Sequence, residues 1–266
     1  MPRIKYHDPV TGEVKYADMV IQSPLPTGTA NGDILVWDND NQVWVVRQPS
    51  RLPAEYQEVE YIESTGTQYI DTGYVPKSTT KWELVFQTIT GSADLSCRNG
   101  RHGGGDGERF SIGAASINSL SFTSSTNSMS VHIGSAFETT VSFTQNIGKT
   151  SRDFPYALIK KKVTIDASNM TYDMNDGEWS GTISATLTLA NQSHLYLFAR
   201  SLTDGTFDGC GTQNIYSHKI WENGVKVQDF VPCYRKADGV IGMYDIVNDV
   251  FYQNAGTGTF TKGADV

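Results

Sequence analysis

One glycine-rich stretch, Arg98–Arg109, holds side chains of the kind that bind carbohydrate. Proteins recognise sugar hydroxyls with planar amide, carboxylate and guanidinium groups, and pack the C–H face of a pyranose ring on an aromatic side chain. Since its GRHGGGDG run has too many glycines for a regular element, we predict a loop there; the alternative is that the loop is only solvated. The residues predicted to contact a sugar are Arg98, Arg101, His102, Asp106 and Arg109.

A second candidate for sugar binding is the turn around residues 176–179. Asp176 and Glu178 supply carboxylates, and Trp179 places a large aromatic ring unusually close to a turn. The loop Arg200–Asp208 adds Asp204 and Asp208. For each of these residues the alternative is an ordinary solvated loop position.

Several acidic residues lie in loops where a Ca²⁺ ion could be held by carboxylates and backbone carbonyls. The alternative, which we favour, is that they are Asx-turn residues whose side chains bond their own backbone. We therefore predict no metal site, with Ca²⁺ as the open possibility. The residues concerned are Asp94, Asp106, Glu108, Asp204 and Asp208.

The carboxylates Glu58, Glu60 and Glu63 raise the possibility of a glycan hydrolase, which needs a nucleophile and an acid/base about 5–5.5 Å apart. Glu58 and Glu60 share a strand face, but Glu63 falls on the opposite face unless a bulge intervenes. The sequence has no Gly-x-Ser-x-Gly, His-Glu-x-x-His or phosphate-binding glycine loop, and its five histidines are scattered. We predict that the protein is not an enzyme.

Composition narrows the classes of partner. The net charge of −8 argues against nucleic acid, because phosphate binding needs clustered Lys and Arg. The one basic run, Lys160–Lys162, is interpreted as a solvated strand edge. Cys97, Cys210 and Cys233 are an odd number without metal-ligand spacing, which predicts buried thiols. No apolar run is long enough to span a membrane, so no membrane insertion is expected.

Short apolar runs separated by turn residues predict an all-β chain, with residues 1–50 as a separate segment and residues 51–266 as a β-sandwich. In the first segment, strand-like runs flank turn residues in two places, which predicts small hairpins. One of these carries Trp37 and Trp44 and little else. Because an isolated hairpin is marginal in water, we predict that this hairpin packs on the main domain, on a copy of itself or on a larger assembly, with its tryptophans as candidates for packing against a virion partner.

The stretch Asp229–Tyr252 contains three strand-like runs separated by Ala237-Asp238-Gly239 and Asn248-Asp249. Asp-Gly is a strong hairpin signal, because glycine accepts the positive φ of a tight turn. We predict a β-meander that closes a sheet. Nearby, the run HLYLFAR (His194–Arg200) is nearly continuous and apolar, as expected of a central sandwich strand.

Two passages carry a family resemblance: EYIESTGTQYIDTGY near the start of the second segment, and NIYSHKIWENGVKVQDFVPCYRKADGVIGMYDIVNDVFYQNAGTGTF near its end. Together they resemble the concanavalin A-like, laminin-G-like jelly-roll domain of bacteriophage and prophage structural proteins. The resemblance covers residues 52–262. It implies two stacked antiparallel sheets with adjacent first and last strands, and a surface-binding role, often for carbohydrate, in a virion. A short segment of residues 1–50, GDILVWDNDNQVWV, also resembles β-hairpins of phage tail and fibre proteins.

Three hypotheses follow. The first is a virion protein (capsid decoration, head fibre or tail fibre) that is assembled in the host bacterial cytoplasm, docks through residues 1–50 on other virion proteins, and displays a lectin-like domain for host-surface or mucosal glycans. The second is a purely structural decoration subunit without a ligand, and the third is the glycan hydrolase. We also expect a homo-oligomer. The sequence leaves open whether the protein belongs to head or tail.

Overall fold

The computed structural model describes residues 3–7, 14–18, 34–38, 43–47, 51–89, 98–102, 109–115, 128–134, 141–142, 160–177, 179–182, 192–208 and 212–266. Every regular element in these ranges is a β-strand. The prediction of an all-β chain is therefore confirmed for this part of the protein. Since these ranges contain no helix, they also hold no helix long and apolar enough to cross a membrane.

The chain divides into two compact units, Met1–Arg51 and Leu52–Val266. The first contains two antiparallel hairpins at the predicted positions, β1 (Arg3–His7) with β2 (Val14–Asp18) and β3 (Ile34–Asp38) with β4 (Val43–Arg47). The strands of the second unit are β5 (Tyr56–Glu58), β6 (Ile62–Thr65), β7 (Ile70–Asp71), β8 (Thr80–Thr88), β9 (Arg98–His102), β10 (Arg109–Ala115), β11 (Ser128–Gly134), β12 (Val141–Ser142), β13 (Lys161–Asp166), β14 (Thr171–Met174), β15 (Trp179–Thr182), β16 (Tyr196–Leu197), β17 (Arg200–Ser201), β18 (Phe207–Asp208), β19 (Thr212–Glu222), β20 (Val225–Arg235), β21 (Ile241–Asp245), β22 (Val250–Gln253) and β23 (Thr261–Lys262).

Two sheets build the second unit. The larger has the order β15-β14-β13-β8-β19-β20-β21-β22, with β5 added beside β20, β6 beside β19, and β23 beside β6. The smaller has the order β12-β11-β10-β9-β16-β7, extended by β17 and β18. The resemblance implied adjacent first and last strands; the last strand, β23, pairs with β6, whereas the first, β5, pairs with β20. The prediction of purely antiparallel pairing is wrong at one place, because β17 runs parallel to β9.

Buried side chains of both sheets belong to one hydrophobic core. The larger sheet contributes the fully buried Trp82, Phe86 and Phe230, and the smaller sheet contributes Ile112 and Leu197. The alternation of buried and half-buried residues along β13 is what a strand with one face on a core requires. Packing between the sheets therefore fixes which face of each strand remains outside.

The predicted closing meander is confirmed. β20, β21 and β22 pair in sequence as antiparallel neighbours. The turn between the first two contains Gly239 at a φ of 72°, and the next contains Asp249 at 56°. Glycine adopts a positive φ without strain because it has no Cβ. At Asp249 the positive φ is taken by a short polar residue, the usual alternative to glycine.

The interpretation of Lys160–Lys162 as a solvated strand edge is wrong for its middle residue. β13 lies between β14 and β8, and is therefore an interior strand. Lys161 is buried, and its Nζ lies 5.0 Å from the centre of the Phe86 ring. Its aliphatic stem and its cation–π contact fit a core-facing position, which the basic character of the run had assigned to solvent.

HLYLFAR does not form the predicted continuous strand. β16 ends at Leu197 and β17 begins at Arg200, because Phe198 adopts a positive φ of 67°. The buried Asn99 side chain stabilises this break, since its Oδ1 accepts a 2.7 Å hydrogen bond from Phe198 N. Asn99 also exchanges two amide hydrogen bonds, of 3.1 and 3.0 Å, with the buried Gln213 on β19. One polar pair thus links the two sheets through the interior of the unit.

The thiol of Cys233 lies in a smaller cluster formed by Leu52, Val231 and Tyr244. Burial raises the pKa of this thiol to about 12. Because the thiolate is the reactive form, we expect Cys233 to resist alkylation in the native protein and to react only after unfolding. Peptide mapping after iodoacetamide treatment, with and without denaturant, measures this directly. Labelling of Cys233 at equal rates in both conditions would contradict the burial described here.

Candidate functional site

The outer face of the smaller sheet presents aromatic and ionisable side chains in alternation with core residues. On β7 and just before it, Tyr69 and Asp71 are half-buried while Ile70 has no exposed surface. On β16 and just before it, His194 and Tyr196 are half-buried while Leu195 and Leu197 are fully buried. Because Tyr196 lies directly opposite Asp71 in the ladder, all four side chains share one face.

The aromatic members contact one another. The rings of Tyr69 and Tyr196 stack with centroids 4.9 Å apart, and the ring of Phe207 lies 4.4 Å from that of Tyr69. Phe207 is 42% exposed, which is unusual for a phenylalanine and leaves part of its ring in water. We call Tyr69, Asp71, His194, Tyr196 and Phe207 the aromatic patch.

A carboxylate–imidazole pair lies beside these rings. The His194 Nδ1 atom is 2.9 Å from Asp71 Oδ1 and 3.1 Å from Oδ2. Since an ionised carboxylate only accepts hydrogen bonds, the proton of the neutral ring lies on Nδ1, and Nε2 is left as an acceptor. Both side chains are more than a third exposed. The pair therefore offers hydrogen-bond acceptors to a ligand in solution.

The phenol of Tyr196 adds a neutral hydroxyl. Partial burial raises the pKa of Tyr196, and the negative charge of Asp71 raises it further. The hydroxyl therefore keeps its proton at neutral pH and both donates and accepts hydrogen bonds. The patch combines apolar ring surface, acceptors and a hydroxyl, a combination suited to a ligand rich in hydroxyl groups.

Neighbouring backbone holds the patch in place. Tyr69 donates its backbone N–H to Asn254 Oδ1 at 3.2 Å and accepts a bond from Ala255 N at 2.9 Å. Asp71 Oδ1 accepts from Gly73 N at 2.8 Å, which fixes the carboxylate orientation. Thr72 Oγ1 donates to Leu195 O at 2.6 Å and ties the two strands together. These bonds order the backbone and the Asp71 side chain before a ligand arrives, so binding costs little further conformational entropy.

Gly100 lies next to Tyr196 across the sheet, in the pairing of β16 with β9. It has a φ of 125°, a conformation that side chains rarely adopt. Gly100 is itself buried, so the backbone of β9 is covered beside Tyr196. Across the next strands of the sheet, Ser111 on β10 lies opposite Gly100, and His132 on β11 lies opposite Ser111.

The sequence-predicted residues of Arg98–Arg109 divide between two faces of this sheet. The stretch is not one loop, since β9 and β10 form its two ends. Arg98, His102 and Arg109 share the face of Gly100, because Arg109 is opposite His102 and Gly113 is opposite Arg98. Arg101 lies on the other face with none of its surface exposed, and so it cannot contact a sugar as predicted. Asp106 and Glu108 lie outside the described residues.

The second predicted sugar site is only partly described. Asp176 lies in the turn between β14 and β15, is exposed, and forms an ion pair with Lys162 Nζ. Trp179 begins β15 opposite Met174, and Glu178 lies outside the described residues. The two predicted groups are on different sheets, with Asp176 beside the larger and Arg98–Arg109 on the smaller.

Of the residues considered for Ca²⁺, Asp204 forms an Asx turn. Its Oδ1 accepts hydrogen bonds from the backbone N and the Oγ1 of Thr206, at 3.0 and 2.5 Å. These bonds lower the pKa of Asp204. Asp208 lies on β18, and Asp94 lies outside the described residues. Within the described ranges, no three His, Cys, Asp or Glu side chains are grouped as a metal site would require.

The carboxylates considered for a hydrolase do not share one strand. Glu58 ends β5, Glu60 lies between strands and is exposed, and Glu63 lies on β6. In the aromatic patch, the hydrogen bonds described for the His194 ring go to Asp71, with no serine or cysteine nucleophile among these partners. The five described residues of the patch include no serine or cysteine for which His194 could act as a base.

Sequence reasoning missed the aromatic patch. Its signal was present in two places, as the alternation Tyr69-Ile70-Asp71 and the alternation His194-Leu195-Tyr196. Each places an aromatic ring and an ionisable group on the face opposite an apolar residue. What the sequence does not show is that these segments, 123 residues apart, are neighbours in one sheet.

Comparisons with protein-family models, with curated proteins and with solved structures found no match. The resemblance to concanavalin A-like phage domains therefore stays a prediction.

Proposed function

We propose that this chain is a bacteriophage virion protein whose second unit is a concanavalin A-like jelly-roll sandwich that binds host-surface or mucosal glycans. The observation that carries glycan binding is the aromatic patch. Two stacked tyrosines and an exposed phenylalanine lie beside the Asp71–His194 pair on a pre-ordered sheet. The sequence resemblance supports the virion setting, and two sheets around one core are compatible with a jelly roll.

The chemistry of the patch favours neutral glycans. Pyranose C–H groups would pack on Phe207 and Tyr196, and sugar hydroxyls would donate to Asp71 Oδ2 and His194 Nε2. Tyr196 and Tyr252 both feel the negative charge of Asp71, and Tyr252 also feels that of Asp245. A glycan with carboxylate or sulfate groups would be repelled by these charges.

A glycan array followed by calorimetry with the best ligand tests the proposal. We expect Phe207→Ala to raise the Kd at least about tenfold, because an aromatic contact with a sugar ring is lost. Val250→Ala is the matched control, since Val250 and Phe207 are both 42% exposed. We expect this control to leave the Kd unchanged.

Two outcomes would count against glycan binding at this patch. If folded protein binds no polysaccharide on a broad array, the purely structural decoration subunit becomes the better hypothesis. If glycans bind but Phe207→Ala and Tyr196→Ala keep the wild-type Kd, the binding site lies elsewhere. The virion setting is tested separately by immunogold labelling of purified particles.

A further inference from the structure

A row of polar side chains crosses the outer face of the larger sheet. Asn214 on β19 is paired with Glu63 on β6 on one side and with Gln87 on β8 on the other. Because paired residues of a ladder share a face, these three side chains lie together. Their face is the outer one, since the adjacent Phe86 and Ile215 belong to the core. We call Glu63, Asn214 and Gln87 the polar row.

A β-bulge brings an aromatic ring to this row. The pairing of β19 with β8 shifts register between Ile215 and Ser217, which makes Tyr216 the additional residue of a bulge. Bulges re-aim side chains, and the Tyr216 hydroxyl donates to Gln87 Oε1 at 2.8 Å. The Tyr216 ring lies 5.3 Å from that of Tyr61, and both rings are half-buried. Two tyrosines therefore border the polar row.

Asn214 contributes an acceptor that the described part of the protein does not use. This residue is only 7% exposed, and its Oδ1 has no hydrogen-bond partner among the described residues. Burial raises the pKa of Tyr216, whereas a hydrogen bond from the Asn214 side chain lowers it. A bond with this effect is one that donates to the phenol oxygen, so Asn214 directs Nδ2 toward Tyr216. The remaining Oδ1 is a buried acceptor that still needs a donor.

Charged groups of both signs surround this acceptor. The Lys160 Nζ atom lies 3.9 Å from the centre of the Tyr216 ring, and the negative charge of Glu60 also acts on Tyr216. Asn214 Oδ1 is shielded from solvent, so a ligand reaches it when a neighbouring surface side chain turns aside; Lys160 is exposed and can do so. Acceptors on Asn214 and Glu63, a donor on Lys160 and aromatic rings suit hydroxyl groups, which both donate and accept.

We propose that the polar row is a second carbohydrate-binding site of this chain, on the sheet opposite the aromatic patch. Sugar hydroxyls donate to Asn214 Oδ1 and Glu63, and Lys160 donates to a sugar oxygen. The proposal rests on the proposed function for its class of ligand, but it uses different residues on the other sheet. Two sites on opposite faces of one unit let a single chain bridge two glycan strands, which raises avidity without any new contact.

Nuclear magnetic resonance of the ¹⁵N-labelled full chain tests this site. The probes are the methyl glycosides of glucose, galactose, mannose and N-acetylglucosamine. The reporter is the side-chain amide signal of Asn214, identified by its loss in Asn214→Leu. We expect at least one glycoside to shift this signal saturably. The same shift should persist in Phe207→Ala, which disables the aromatic patch, so the two sites are distinguished by one variant.

Glu63→Ala is expected to raise the Kd measured from this signal at least about tenfold, because a hydrogen bond to a charged group is lost. Glu83→Ala is the matched control, since Glu83 is also half-buried on the outer face of the larger sheet, where it accepts from Lys219 Nζ at 3.2 Å. It should leave the Kd unchanged.

Three results would overturn the second site. The first is an Asn214 signal that no glycoside of the panel shifts. The second is a shift that disappears in Phe207→Ala, which would report the aromatic patch at a distance. The third is a Glu63→Ala variant with the wild-type Kd. Sugar binding here together with none at the aromatic patch would instead support the second site and count against the first.

Discussion

Replacement of Asn99 by leucine is expected to lower the free energy of unfolding by about 3–5 kcal/mol. The Asn99 Oδ1 atom holds the backbone N–H of Phe198, and its amide pairs with the amide of Gln213. Leucine would leave that N–H and the buried Gln213 side chain without these partners. It would also remove the bond that stabilises the positive φ of Phe198. Urea denaturation followed by fluorescence measures the loss.

Gln192→Leu is the matched control for this prediction, because Gln192 is an amide exposed on the same unit. Its effect should stay within about 0.5 kcal/mol. The double variant Asn99→Leu/Gln213→Leu should be less destabilised than the sum of the single variants, since no unpaired amide remains. Strict additivity would show that the two amides act independently and would contradict the network described here.

Acidification is expected to destabilise the second unit through His218. This ring is fully buried, accepts a hydrogen bond from Trp82 Nε1 at 3.0 Å on Nδ1, and faces Gln228 Oε1 at 3.4 Å. Burial lowers the pKa of His218 to about 3. The folded state therefore keeps the ring neutral, while the unfolded chain protonates it below its ordinary pKa of about 6.5. The stability that this neutral ring confers is complete above pH 6.5 and is lost as the pH falls toward 3.

Between pH 6 and pH 4, the contribution of His218 should fall by up to about 1.4 kcal/mol per pH unit. Other groups titrate in this range, so the informative quantity is the difference between wild type and His218→Gln. Glutamine keeps an acceptor and a donor at this position but does not titrate. We expect the variant to be less stable at pH 7 and to show a shallower loss of stability with acid. The same slope in both proteins would contradict a neutral, buried His218.

The closing meander was predictable because its information is local. Asp238-Gly239 specifies a tight turn by residue type, and the structure places Gly239 at a positive φ. The Asn223-Gly224 hairpin between β19 and β20 follows the same rule, since both residues have positive φ values. In each case a few adjacent residues determine the geometry whatever the rest of the chain does.

The break at Phe198 and the burial of Lys161 could not be predicted in this way. A phenylalanine in an apolar run favours a strand, and only the distant Asn99 side chain makes the turn at Phe198 favourable. Likewise, three adjacent lysines indicate solvent, whereas the alternation of β13 assigns the middle one to the core. Both outcomes depend on contacts with residues distant in sequence, and local propensity carries no information about those contacts.

The pairing of β6 with β23 also has a consequence for how the second unit reaches its native state. Gln68 Nε2 donates to Thr259 O across 191 residues, and Gln57 Nε2 donates to Val266 O across 209. Contacts so distant in sequence give a high contact order, which slows folding. During synthesis the larger sheet lacks its last strand until residues 259–266 have left the ribosome. The hairpins β1–β2 and β3–β4 instead pair residues that are close in sequence.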